Sequence, residues 1–377
     1  MGLNRVKGRV GVAASIAAAA IALLAGRPAA AQIQPEGANP AEQVIYVSDL
    51  NLSGLRGGIV VPIEVPAERG SMLLRIPTED LKELPIALEP ISIRAENYML
   101  IEQIDGGGYQ SVDPGEETTY TGSVAGMGED ARVAGSIVSG KLLLAIWMPD
   151  GTRRYVQPLS DFIPGAHPSL HVVYKSGDSE CHGECGNTLE QEAHRHDTGY
   201  GERGVCSATY CEALVATDAD YEYYLDHGSS STETQGRIAA VINVINHQYQ
   251  RDVQITHRIG TQIVRTTSAD PYTSTNSSTL LGEFRSEWNA NQTAISRDVA
   301  HLFTGKEIDS NIIGIAYVGV ICASTTTGSG YGLSQSDFSS SFACVSDLTA
   351  HEIGHNWSAQ HCTSSCSSTM NPSIDRK

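Results

Sequence analysis

The chain has 377 residues, 41% hydrophobic and 18% charged, a globular composition with room for two domains of ordinary size. A formal net charge of −18 excludes a nucleic-acid partner, because phosphate binding demands clustered Lys and Arg. Acidity otherwise bears on solubility and not on the choice of fold.

At the N-terminus, Arg5, Lys7 and Arg9 precede an apolar run from Gly11 to Gly26, and Ala29-Ala30-Ala31 supplies small residues for cleavage. This pattern predicts a signal peptide over residues 1–31, with Gln32 as the new N-terminus and a secreted product, extracellular or periplasmic. Arg27 closes the apolar run before it reaches the roughly 18 residues that a membrane span needs, so no membrane association is expected after cleavage.

Residues 32 to about 175 carry short β-like runs punctuated by Gly and Pro: Ile59 to Val61, Met72 to Ile76, Leu142 to Trp147 and His171 to Tyr174. No catalytic constellation falls there. From Ser176 to Gly204 the chain is polar and without periodicity, as in a linker. Its His182, His194 and His196 lack a ligand spacing and read as solvated linker residues rather than a metal site. Cysteines begin at Cys181 and continue with Cys185, Cys206, Cys211, Cys322, Cys344, Cys362 and Cys366. In an exported protein they imply disulfides; a bridge is expected near Cys362 and Cys366, while the remaining connectivity is open.

Beyond Glu212 strands alternate with helices, which predicts a layered α/β domain. Ala213 to Thr217 and Val253 to Val264 read as strands. Gln235 to Gln250 reads as a helix, with Ile238, Val241, Ile242 and Ile245 on one buried face. Leu280 to Trp288 is helix-like, Ile312 to Val320 a buried strand, and Ala323 to Ser341 a Ser/Thr/Gly-rich loop before a final helix near Asp347 to Trp357.

That helix carries His351-Glu352-Ile353-Gly354-His355, followed by His361. Residues four apart on a helix sit one above the other, so His351 and His355 can reach one metal ion, with His361 as third ligand. Three neutral imidazoles leave one coordination position for water, which makes Zn2+ the fitting metal, one ion in a catalytic site. Glu352, about 100° round from His351, is placed to act as general base and then acid. Ala350, Ile353 and Trp357 form a core-facing stripe on the opposite side. After His361 the sole acidic residue is Asp375, so a distant Glu ligand is excluded in favour of the His. No residue pattern speaks for or against Ca2+.

His351 to His361 resembles the HExxHxxGxxH signature of metzincins, and Gly354-His355-Asn356-Trp357 is similar to reprolysin/ADAM-like members. Met370 resembles the Met-turn of that family. Asp298 to Gly305 and Ile313 to Gly319 are similar to the region preceding its active helix. Tyr120 to Val124 and Tyr155 to Leu159 resemble reprolysin propeptides. The resemblance implies an α/β (α+β) zincin domain over residues 206–377, with a mixed twisted sheet and an active-site helix. A β-rich propeptide over residues 32–205 would precede it, with a linker from about 176. It implies a zinc-dependent endopeptidase acting on protein or peptide chains and made as a zymogen with its own propeptide as inhibitor. Cys185-Gly186 is the candidate cysteine switch, with Cys181 as competitor and a Cys181–Cys185 disulfide as the alternative. Tyr331, Gly332 and Leu333 are candidates for an edge strand that pairs with substrate backbone. Arg195 and Arg203 are candidate maturation sites.

Three departures stand out. Ser358 replaces the signature Gly, where a positive-φ exit costs a non-Gly residue about 1 kcal/mol. Cys362 stands where the ADAM-like enzymes usually have Asp, and the chain ends at Lys377, soon after Met370. These departures keep a second reading open, a catalytically weak or inactive secreted zinc-binding or adhesion module on the same fold.

Overall fold

The computed structural model describes residues 44–80, 82–187, 205–206, 210–321, 328–336, 338–362 and 366–374. The expected signal peptide, His194, Arg195, His196, Arg203 and Cys322 lie outside these residues.

The N-terminal half is built of strands β1 (Ile45–Tyr46), β2 (Ile59–Pro62), β3 (Met72–Pro77), β4 (Glu83–Pro90), β5 (Arg94–Ile104), β6 (Gly108–Val112), β7 (Thr119–Val124), β8 (Arg132–Val138), β9 (Lys141–Trp147), β10 (Arg153–Pro158), β11 (Leu170–Lys175) and β12 (Glu184–Cys185). Nine of them form an antiparallel sheet in the order β1-β2-β11-β10-β9-β8-β7-β4-β3. The four β-like runs expected upstream of residue 175 all fall in it. Strand β4 alternates buried Leu84, Ile86 and Leu88 with more exposed neighbours, as a strand with one covered face must.

The C-terminal half alternates β13 (Val205–Cys206), β14 (Cys211–Ala219), α1 (Tyr221–Asp226), α2 (Ser231–Asp252), β15 (Ile255–Arg265), α3 (Ser277–Asn291), β16 (Val299–Thr304), β17 (Ile312–Ala316), β18 (Tyr331–Gln335) and α4 (Phe342–Asn356). The second sheet runs β12-β17-β18-β16-β14-β15-β5-β6, with β13 paired to β14. Strands β15, β14, β16 and β18 are parallel and β17 is antiparallel to β18. Every residue of β16 and β18 is buried, as strands covered on both faces require. The result is the mixed α+β architecture expected from the sequence.

One core cluster draws on both halves, beside further clusters within each half. Helix α2 starts at Ser230, whose Oγ accepts the Glu233 N–H at 3.3 Å. Its apolar stripe (Ile238, Val241, Ile242, Ile245) packs with Ala134, Leu143 and Tyr155 of the first sheet. Gly236 lies so close to β8 that a Cβ there would stand 2.7 Å from Val138. Asn243 Nδ2 donates to the carbonyls of Tyr120 and Gly135, both at 2.9 Å, so a buried amide pins the helix to β7 and β8. The hairpin β5–β6, from the segment expected to be propeptide, extends the second sheet beside β15. Beneath it Arg265 donates twice to Asp218 (2.9 and 2.6 Å) and also to Gln103 (3.1 Å) and Tyr109 (2.6 Å) of the hairpin. A buried ion pair is tolerated when its spare donors are satisfied in this way.

The disulfides include Cys181–Cys344 and Cys362–Cys366, and Cys211 is disulfide-bonded as well. The second is the bridge expected beside the motif. The first excludes a Cys181–Cys185 bridge, since the Cys181 sulfur is already bonded to helix α4. Among the described residues, no helix is long and apolar enough to cross a membrane.

Candidate metal centre

Helix α4 is held at both ends by other elements. Its N-cap, Ser341, makes no side-chain capping bond; instead Gln157 Oε1, from β10, accepts the Phe342 N–H at 2.8 Å. At the other end Gly319 N donates to His355 O (2.8 Å) and Val320 N to Asn356 O (2.9 Å), so the chain leaving β17 covers the last carbonyls. Asn356 Nδ2 donates to Tyr317 O (2.9 Å) and Tyr331 O (3.0 Å), tying the helix to β18 and to the chain just past β17. Ala350 and Ile353 face the shared core, with Trp357 packed beside them. The helix unwinds at Ser358, φ +75°, where Ser358 N and Ala359 N close onto His355 O and Gly354 O, both at 2.9 Å. This left-handed exit turns His361 back over the helix end.

His351, His355 and His361 converge. Their Nε2 atoms are 3.0 Å (351–355), 3.1 Å (351–361) and 3.2 Å (355–361) apart. His351 Nδ1 lies 2.7 Å from Thr369 O and His355 Nδ1 2.8 Å from Ala359 O. A carbonyl can only accept, so each Nδ1 carries the proton and each Nε2 turns a lone pair inward. Burial lowers the ring pKa values, to about 4 for His351 and about 3 for His355, and downward for His361, which keeps the imidazoles neutral.

Three lone pairs facing one another call for a cation between them. Zn–N bonds of about 2.0–2.1 Å in a tetrahedral site separate the nitrogens by about 3.4 Å, close to the spacing here. The residues therefore fit zinc. Cys185 Sγ joins the cluster 3.5 Å from His355 Nε2, and the four ligand atoms lie within 4.8 Å of one another. Among the described residues this is the one such group; His182 is not in it.

Glu352 is fully buried and is linked to the cluster through Cys185, whose sulfur lies near both Glu352 Oε2 (3.6 Å) and His355 Nε2 (3.5 Å). Burial pushes its carboxyl up to about 8, partly offset by Cys185. Its Oε1 is buried with no hydrogen-bond partner. It rests on Gly314 of β17, where a Cβ would stand 2.5 Å away. Met370 lies against the helix at Gly354, where a Cβ would stand 2.7 Å from its sulfur. The motif spacing pointed to the histidines and to Met370; the requirement for a glycine at 314 arises from strand packing that no local pattern encodes.

Strand β18 is not an edge strand. Tyr331, Gly332 and Leu333 are buried between β16 and β17, with both sets of main-chain groups committed, so they offer substrate no free edge. The expected strand Ile312 to Val320 is cut to Ile312–Ala316, because the following residues turn to cap α4. Strand β17 is the outer strand of this part of the sheet, and β12 pairs with it in parallel. Residues 183–186 are clamped between two walls: Glu184 N and Gly186 N donate to Asn311 O and Gly314 O (2.8 Å each). On the other side Cys185 N donates to Pro372 O and Ile374 N to Gly183 O (2.9 Å each).

The family model described as metallo-peptidase family M12, of reprolysin type, matches residues 209–376, which include all three histidines and Glu352. Residues 209–376 are thus similar to reprolysin-like metzincin domains. The zinc metalloproteinase-disintegrin-like atrase-A of Naja atra is similar as well, 26% identical over 241 residues. That likeness covers 59% of this chain, more than the metzincin domain alone, and so extends upstream of it. The chain spans about a third of that curated relative, 37% of its length.

Proposed function

We propose that the protein is a secreted zinc metalloendopeptidase, made as a zymogen, in which His351, His355 and His361 hold the metal and Glu352 is the catalytic base. When bound, zinc supplies a Lewis acid that polarises the scissile carbonyl and acidifies water. Glu352 takes a proton from the attacking water and returns it to the leaving amine; its buried carboxylate, raised toward neutrality, suits both transfers. The observation that carries this reading is a buried, unpartnered Glu352 Oε1 on the same helix turn as His351 and His355, whose Nε2 atoms converge with that of His361. A site holding zinc for structure alone has no use for a buried carboxylate with a vacant acceptor.

The outer side of β17 would pair with substrate backbone, replacing residues 184–186. In the zymogen Cys185 takes the fourth position as thiolate, and residues 44–187 act as inhibitor. Glu352→Gln should abolish digestion of a denatured protein such as casein while zinc stays bound. Cleavage persisting in that variant would remove Glu352 from the mechanism. Zinc present without digestion in the processed wild-type protein would favour a binding module.

A further inference from the structure

Cys181 and Cys344 are both fully buried, and the disulfide between them joins the segment that carries Cys185 to the first turn of α4, the helix that carries His351 and His355. The bridge packs among Ile313 of β17, Leu348 of α4, Ile374 beyond the Met-turn and Phe338. Four residues later Cys185 points its sulfur at the histidines. Gly183, between them, is pressed so close to β17 that a Cβ would stand 2.5 Å from Ile313.

We propose that Cys181–Cys344 is a covalent latch on the active-site cleft, so that opening the enzyme takes two events, cutting of the chain after Asn187 and reduction of this disulfide by a dithiol reductant. The proposal rests on the zymogen reading above. Cutting the chain alone leaves Cys181 bonded to α4. A tether of three intervening residues then keeps Cys185 at an effective concentration of millimolar or more beside the histidines, so a released switch rebinds. Reduction removes that tether. When local opening of the nicked chain exposes the bridge, one thiolate of the reductant attacks a bridge sulfur and forms a mixed disulfide, which the second thiol of the same molecule then resolves. Two electrons and two protons pass to Cys181 and Cys344 as thiols, and the reductant departs as its cyclic disulfide. The N-terminal segment is then held only by packing and hydrogen bonds and can leave the cleft.

The test uses the full secreted chain, nicked by limited trypsin treatment within residues 188–209, and a Cys181→Ser/Cys344→Ser variant treated alike. On a non-reducing denaturing gel the nicked wild-type protein should run as one species, and with dithiothreitol as two. Maleimide labelling followed by peptide mass analysis should find Cys185 protected in the nicked wild type and labelled in the nicked double variant without reductant. Casein digestion should rise at least tenfold with dithiothreitol in the wild type and need none in the variant. Two fragments on the non-reducing gel, or Cys185 labelled in the unreduced nicked wild type, would overturn the latch. Gel and labelling as expected with no digestion in any sample would uphold the latch and overturn the peptidase reading.

Discussion

Gly314 and Glu352 are in direct contact, with no space for even a methyl group: a Cβ on Gly314 would stand 2.5 Å from Glu352 Oε1 and 2.9 Å from its Cδ. Strand β17 and the proposed base are thus fitted to each other. Gly314→Ala must push the carboxylate away, because neither β17, paired to β18, nor the buried helix α4 can yield. The expected result is a fall in kcat of about a hundredfold, in the range that misplacement of a catalytic group by an ångström produces. Zinc content, read by atomic absorption, should stay at the wild-type level. Wild-type kcat in this variant would show that the contact has no bearing on the base.

Ser358 occupies the left-handed region, φ +75°, where the helix turns toward His361. Replacing it with Gly removes the Cβ strain of that conformation without touching a ligand. Ser358→Gly should stabilise the protein by about 1 kcal/mol, seen as a higher urea midpoint with an unchanged slope. A lower midpoint would mean that the exit turn is not strained.

His247, on α2, stacks on Trp147 of β9 at 5.8 Å. Burial, with a smaller contribution from Arg132, lowers its pKa from 6.5 to about 4. Above pH 6.5 the ring is neutral in folded and unfolded chains, and its contribution to stability is complete. As pH falls toward 4 the unfolded chain takes up a proton that the folded chain refuses, so stability is lost, by up to about 3 kcal/mol. The stability difference between wild type and His247→Gln should shrink by that amount from pH 7 to pH 4. A difference that is the same at both pH values would contradict the assignment.

Much of the site could be read from local sequence. The spacing of His351, His355 and Glu352 follows from helix geometry alone, and the four apolar residues of α2 marked its buried face correctly. Strands β14, β15 and β17 were visible as apolar runs, although β17 is shorter than its run because Val318 and Val320 are buried in a capping turn, and β18 lies within the expected loop Ala323 to Ser341. Strand order was not visible. The family resemblance put an edge strand at Tyr331 to Leu333, yet β16 and β17 take both its sides, and pairing between strands far apart in sequence leaves no local trace. The same holds for Cys181, whose partner lies 163 residues away. Sharing of the core between the halves, through Asn243 and the β5–β6 hairpin, likewise depends on tertiary contacts that periodicity cannot express.

The central claim is that one zinc ion sits among the Nε2 atoms of His351, His355 and His361, with the Cys185 sulfur as fourth neighbour in the intact chain. X-ray absorption at the zinc edge of the full-length protein reads this directly. The account predicts three nitrogen neighbours at about 2.0–2.1 Å and one sulfur at about 2.3 Å, the sulfur disappearing in Cys185→Ser. A sulfur shell that survives Cys185→Ser, or a purified chain that binds no zinc, would contradict it.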